Sequence, residues 1–212
     1  MTSLRIRNVR VILTEPDGIR LVIVKVETNE PELYGVGCAT FTQRPSAVAV
    51  AVDDYLKPFL IGKDPADIED IWQSCYVSSY WRNGPVLNNA ISGVDQALWD
   101  IKGKLADMPV YDLLGGRIRD NVPLYANGWF PGCHSPEEFA TAAKETVAKG
   151  YAAMKFDPFA IEMGPYHTGY VGGIISASDE DLGIARVAAV REAVGPQIEV
   201  LIDAHGHYNV PT

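Results

Sequence analysis

Apolar and polar residues alternate over residues 4–13 (LRIRNVRVIL) and again over 19–27 (IRLVIVKVE), the two-residue period of half-buried strands. Asp17-Gly18 between them is a hairpin turn signal, and the glycine-rich stretch 34–40 predicts a third strand. The chain is therefore expected to open with a three-stranded antiparallel meander. The period then lengthens to that of helices. An Ala/Val-rich helix is expected over 45–60, ending near Gly62, and another over 65–80, started by Asp64-Pro65 as a cap and a first-turn proline. The strongest helical pattern covers 86–106, where Leu87, Ala90, Ile91, Val94, Ala97, Leu98, Ile101 and Leu105 recur on one face. Pro109 and Gly115-Gly116 close this region.

After about residue 118 the pattern changes. VPLYAN (122–127), YAAMKFD (151–157) and IEVLID (198–203) read as strands. Between them lie two helices. One starts at the capping box Ser135-Pro136-Glu137-Glu138 and stops at Gly150; the other runs from Ser178–Asp181 to Gly195-Pro196. Strand, helix, strand, helix, strand predicts parallel βα units. Either a Rossmann-like sheet or the start of a (β/α)8 barrel fits, and no G-x-G-x-x-G follows any strand to favour a dinucleotide. The Gly- and Tyr-containing insert 158–177 is a long loop of the kind that carries function. The expected domains are 1–118 and 119–212.

The bulk properties narrow the function classes. A 212-residue chain with 47% hydrophobic residues has material for one or two cores. No run of 18 or more apolar residues is present, so no membrane span is expected, and the N-terminus has no signal-peptide pattern. Cys38, Cys75 and Cys133 suit free thiols in a reducing cytoplasm better than a disulfide frame. The net charge of −9 and the absence of a long Lys/Arg cluster argue against nucleic acid. An acidic protein that binds an anionic substrate needs a local cation.

Candidate chemistry gathers at the C-terminal ends of the predicted parallel strands, where both fold types place their sites. Lys155 and Asp157 end the second strand on one face; Asp203 and His205 end the third, also on one face; Asn127 ends the first. If neighbouring strands pair, these groups converge. A desolvated Lys155 needs a partner, and its pKa is expected to fall. Asp203 is a hard oxygen ligand suited to Mg2+, though one carboxylate is not a site. His205 suits general acid–base work, or is a structural histidine beside Gly206. His134, His167 and His207 show no ligand spacing. The His205-Gly206-His207 run is expected to put two imidazoles on one strand face, without the further ligands of a zinc set. Neither a G-x-S-x-G elbow nor a P-loop is present.

Residues 88–116 (NNAISGVDQALWDIKGKLADMPVYDLLGG) resemble the signature segment of the mandelate racemase/muconate-lactonizing branch of the enolase superfamily. KFDPF (155–159) and DAHG (203–206) resemble its sugar-acid dehydratases of the gluconate, galactonate and mannonate type. The resemblance implies an α+β N-terminal capping domain followed by the start of an α/β (β/α)8, TIM-like barrel, truncated after the third barrel strand. A whole barrel takes about 250 residues. It also implies a cytoplasmic lyase, a homo-oligomer, that dehydrates a sugar acid to a 2-keto-3-deoxy acid through an enediolate, with Mg2+ as cofactor. Asp203 is then the first of three metal carboxylates, Lys155 lies beside the substrate carboxylate or enediolate, and His205 protonates the departing 3-hydroxyl.

Asp157 stands where the racemase-like branch often has the second lysine of a Lys-x-Lys pair. That counts against simple racemisation and leaves its role open: pairing with Lys155, orienting substrate or taking a proton. Arg44 and Trp81, with Arg82 and Asn83 beside the latter, are expected to contact substrate from the capping domain, where the Asp17-Gly18 turn makes a small lid. The other metal ligands and the base are expected after Thr212, so this chain alone is expected to be inactive and to behave poorly. A racemase, epimerase or cycloisomerase of the same superfamily, and a truncated binding module without catalysis, are the alternative readings.

Overall fold

The computed structural model describes residues 3–78, 80–159 and 173–210. Strands β1 (Ile6–Thr14), β2 (Leu21–Thr28) and β3 (Tyr34–Cys38) form the expected antiparallel meander, in the order β1-β2-β3. Strand alternation decides its faces: Val22, Val24, Val26 and Thr28 of β2 point into the core. Asp17 and Gly18 both take positive φ (52° and 76°), as an Asp-Gly turn requires. Thr14 pairs with Leu21, so the connection spans 15–20 rather than two residues.

Helix α4 (Pro85–Ala106) lies on β3 and β2 and buries Ala90, Ile91, Val94, Ala97, Leu98 and Ile101. Leu87 and Leu105, at the ends of the same stripe, are exposed. The approach to β3 is close because β3 presents Gly35 and Gly37 to the helix. A Cβ on Gly35 would fall on the carbonyl oxygen of Ala97, and one on Gly37 on that of Gly93. The helix also satisfies the strand's outer edge: the Val36 N–H donates to Asp100 Oδ2 (2.9 Å) and the Cys38 N–H to Gln96 Oε1 (3.0 Å).

Two of the other expected helices differ from the sequence reading. The helix over 45–60 is α1 (Pro45–Val50), a π-helical stretch (Ala51–Leu56) and α2 (Lys57–Leu60). Pro58 has no N–H for the α-helical ladder, which fits the widened turn before it. The helix expected from Pro65 is α3 (Ile68–Val77). Asp64 Oδ1 accepts the Ala66 N–H (3.0 Å), so 64–67 form a turn and the helix starts after Asp67. A short helix, α5 (Val110–Leu113), follows α4.

The chain divides into two compact units between Ile118 and Arg119. In the second, β4 (Ala153–Phe156) and β5 (Glu199–Ile202) pair in parallel, with Lys155 opposite Leu201 and Phe156 opposite Ile202. Helices α6 (Pro136–Ala148) and α7 (Ala177–Val194) pack against each other. The capping box is formed: Ser135 Oγ accepts the Glu138 N–H, and the Glu138 carboxylate accepts the Ser135 N–H. The core gathers Ala126, Phe139, Ala143, Met154, Phe156 and Val190, with Trp129 and Phe130 against it.

The strand expected over 122–127 is reduced to a parallel bridge between Ala126 and Met154. Pro123 has no N–H to donate, and Val122 and Leu124 are exposed, so only Ala126 joins the sheet. Among the described residues no helix is long and apolar enough to cross a membrane.

Candidate active site at the ends of β4 and β5

Parallel pairing brings the polar ends of β4 and β5 together. Lys155 is on β4, Asp157 follows it, and Asp203 follows β5, its N–H donating to Phe156 O (3.0 Å). Lys155 Nζ meets Asp203 Oδ2 at 3.1 Å. The other oxygen, Oδ1, accepts the His205 N–H at 2.8 Å. Asp157, only 3% exposed, also uses both oxygens: Oδ1 accepts the Phe159 N–H (2.9 Å) and Oδ2 lies 2.9 Å from His205 Nδ1. His205 Nε2 stands 3.9 Å from Asp203 Oδ2, on the opposite side of the ring from Asp157.

Asp203 and His205 do not share a strand face. Strand β5 ends at Ile202, and His205 adopts a left-handed backbone (φ 50°) followed by Gly206 (φ 65°). This turn, which the Asp203 carboxylate caps, aims the imidazole back at Asp157. It also stacks the His205 and His207 rings at 5.9 Å, which the sequence reading ascribed to strand alternation.

Opposite charge outweighs desolvation here. Lys155 is held above its ordinary pKa, first by the hydrogen bond to Asp203 and against a smaller pull from burial; the expected fall is not found. Asp203 is held below the usual carboxylate range, first by the His205 N–H and then by Lys155. Lys155 does not pair with Asp157, one of the roles left open for that residue.

Three further residues were expected at the site. Asn127 is exposed, directly after the Ala126 bridge. Arg44 belongs to the first unit, before α1, with Nη1 donating to Gln43 O (2.7 Å). Trp81 also belongs to the first unit and is 82% exposed. With Tyr55, Cys75, Tyr76, Arg82 and Asn83 it lines a cavity of about 470 Å³. The Tyr76 hydroxyl there donates to Asn83 Oδ1 (3.0 Å). Residues 160–172 of the insert 158–177, His167 included, lie outside the described residues.

Three supporting residues escaped the sequence reading. Trp129 Nε1 donates to Lys155 O (2.9 Å), fixing the strand from which the lysine projects. Tyr125 lies under the ammonium group, its ring centre 5.7 Å from Nζ. Arg186, buried in α7, donates to Pro158 O (2.8 Å) and His134 O (3.0 Å) and so clamps the turn after Asp157. Arg186 was legible: it falls with Gly183 and Val190 on one helical stripe, a cation among core positions.

As to metal, the described residues contain no group of three His, Cys, Asp or Glu side chains placed to hold an ion. Asp203 offers one hard carboxylate beside a cation. A Mg2+ shell needs several oxygens, more than Asp203 alone presents.

Residues 4–115 match the family model for the mandelate racemase/muconate lactonizing enzyme N-terminal domain, and 138–212 match that for an enolase C-terminal domain-like region. The chain belongs to the mandelate racemase/muconate lactonizing enzyme family. It comprises the enolase-superfamily N-terminal domain and the start of the C-terminal domain.

A D-galactonate dehydratase family member of Salmonella virchow is 69% identical over 127 residues, 60% of this chain and 30% of that protein. One from Catenulispora acidiphila is 45% identical over 213 residues, 96% of this chain and 49% of that protein. The chain thus spans half or less of the length of these curated relatives. Among solved structures, an enolase from Pantoea ananatis with bound D-gluconate and magnesium superposes with a TM-score of 0.76 at 43% identity, over 98% of this chain and 55% of that one. A member of the enolase superfamily from Salmonella Typhimurium does so with a TM-score of 0.85 at 33% identity, over 97% and 56%.

Proposed function

We propose that this chain is the capping domain and first barrel strands of a magnesium-dependent sugar-acid dehydratase. The observation that carries the reading is the convergence of Lys155, Asp203 and His205 at the ends of two parallel strands, in a chain of this family. The named relatives and the gluconate- and magnesium-bound neighbour support the substrate class.

Dehydration removes the hydrogen α to a carboxylate and expels the 3-hydroxyl. Asp203 would hold Mg2+ as one of its carboxylate ligands, and a metal bound there would supply positive charge against the substrate carboxylate. Lys155 adds a fixed positive charge where the enediolate develops. His205 Nε2 gives its proton to the departing hydroxyl: the carbon–oxygen bond breaks with its electron pair on oxygen, water leaves, and the enol becomes the 2-keto-3-deoxy acid. The base that takes the α-proton is not among the residues assigned. Arg44, Trp81 and Asn127 are proposed substrate contacts, and the whole enzyme is proposed to be a homo-oligomer.

The test is a screen of aldonic acids, D-gluconate and D-galactonate included, with the full-length protein and Mg2+, reading the 2-keto-3-deoxy product. His205→Asn should lower kcat by about 10²–10⁴-fold, the usual contribution of a positioned proton donor. Exchange of the α-hydrogen in heavy water without loss of water would overturn the reading in favour of a racemase or epimerase.

A further inference from the structure

Asp157 is the most buried ionisable side chain of the site, yet it touches neither Lys155 nor Asp203. Its geometry is divided. Oδ1 accepts the Phe159 N–H at 2.9 Å and closes the turn after β4, while Oδ2 faces His205 Nδ1 at 2.9 Å. The turn is locked from behind. The Arg186 guanidinium holds the Pro158 carbonyl, and the Phe159 ring lies against α7 where Gly183 has no side chain; a Cβ there would fall on the ring. The carboxylate therefore cannot swing away from the imidazole without breaking the turn.

A buried carboxylate accepts hydrogen bonds and donates none when ionised. Facing Nδ1, it selects the ring form in which Nδ1 carries the hydrogen. The other nitrogen, Nε2, then lies on the Asp203 side, too far from Oδ2 at 3.9 Å for a hydrogen bond, in a side chain that is 40% exposed. That is the atom left open to a substrate.

We propose that Asp157 is a positioning residue: it fixes His205 in the Nδ1–H tautomer and orientation and so assigns proton transfer to Nε2. This deepens the dehydratase reading and rests on it for its consequence in catalysis. When Nε2 releases its proton, the neutral ring remaining is the Nδ1–H tautomer that Asp157 already holds, so no rearrangement of hydrogens accompanies the step.

Asp157→Asn separates this role from a merely structural one. The asparagine Oδ1 still accepts the Phe159 N–H, so the turn is kept. The amide NH2 replaces Oδ2 against Nδ1 and, being a donor, requires Nδ1 to accept. The tautomer should then invert to Nε2–H. The measurement is a long-range proton–nitrogen spectrum of the full-length protein labelled with ¹⁵N-histidine, without substrate, with the pH raised until the ring-nitrogen shifts of His205 no longer change. His205 is assigned from the spectrum of His205→Asn.

The wild type should show Nδ1–H at His205 and the Asp157→Asn variant Nε2–H. The variant's kcat for dehydration should fall about a hundredfold, within the range of a positioned proton donor, with KM little changed. An Nε2–H wild-type ring overturns the proposal, and that measurement needs no variant to fold. An Nδ1–H ring in a folded Asp157→Asn variant overturns it as well, as does an unchanged kcat. A protein that dehydrates no sugar acid but whose tautomer inverts refutes the substrate reading and upholds the tautomer control. One that dehydrates without inversion does the reverse.

Discussion

The two compact units solve the problem of a sheet edge differently. In the first, α4 lies across β3, and its Asp100 and Gln96 side-chain oxygens accept the strand's outer N–H groups. Its core runs unbroken from Ile6 to Ile101. In the second, among the described residues, β5 pairs with β4 alone, and Leu201 and Ile202 are 40% and 55% exposed. Its buried core is the short set around Phe139 and Phe156. The first unit thus covers its own sheet edge, whereas the candidate site of the second sits on a pair of strands backed by a smaller buried core. Buried apolar area is what offsets chain entropy, so the second unit is expected to be the weaker one.

The largest expected effect that tests this contrast is Phe156→Ala. Emptying that site should cost about 3–5 kcal/mol. Hydrogen exchange should then show protection lost in β4, β5, α6 and α7 while β1–β3 and α4 keep theirs. Leu98→Ala should cost about 2–5 kcal/mol and open the first unit. Equal loss across both units in either variant would break the comparison.

A smaller effect is expected at the capping box. Ser135→Ala removes the oxygen that accepts the Glu138 N–H and should lower the urea stability of the second unit by about 1 kcal/mol. A loss under a few tenths would mean that α6 is held by packing alone.

The smallest effect is the pH dependence of the Lys155–Asp203 pair. The Asp203 carboxylate is lowered, so its contribution is whole above the unfolded value near pH 4 and is lost as pH falls through the lowered one. The Lys155 ammonium is raised, so its contribution is whole below the unfolded value near pH 10 and is lost as pH rises through the raised one. Urea midpoints should be flat between these limits as far as the pair is concerned. Lys155→Met should remove the alkaline arm; an alkaline loss unchanged in that variant would assign it to another group.

Much of this was legible in the chain. Period-two alternation marks β1 and β2 because a strand's side chains point alternately to core and solvent. The eight-residue apolar stripe of 86–106 marks α4, and Ser135/Glu138 marks the start of α6, since local hydrogen bonds and spacing suffice for both. Lys155, Asp157, Asp203 and His205 were recognisable as strand-end polar groups next to apolar runs. The strand expected over 122–127 is not formed, because a strand exists only by its partner and only Ala126 finds one.

What sequence alone determined is therefore local: which segments are helices or strands, which faces are apolar, and which groups have chemistry to offer. Tertiary structure decided who meets whom. It paired Lys155 with Asp203 and thereby raised its pKa, where burial by itself would lower it. It turned His205 back onto Asp157 through a left-handed backbone at φ 50°, where alternation would have set it beside Asp203. It placed Arg186 behind the Pro158 carbonyl. Each of these rests on distances between residues roughly thirty to fifty positions apart, and a hydrogen bond falls away within an ångström, so no local pattern records it.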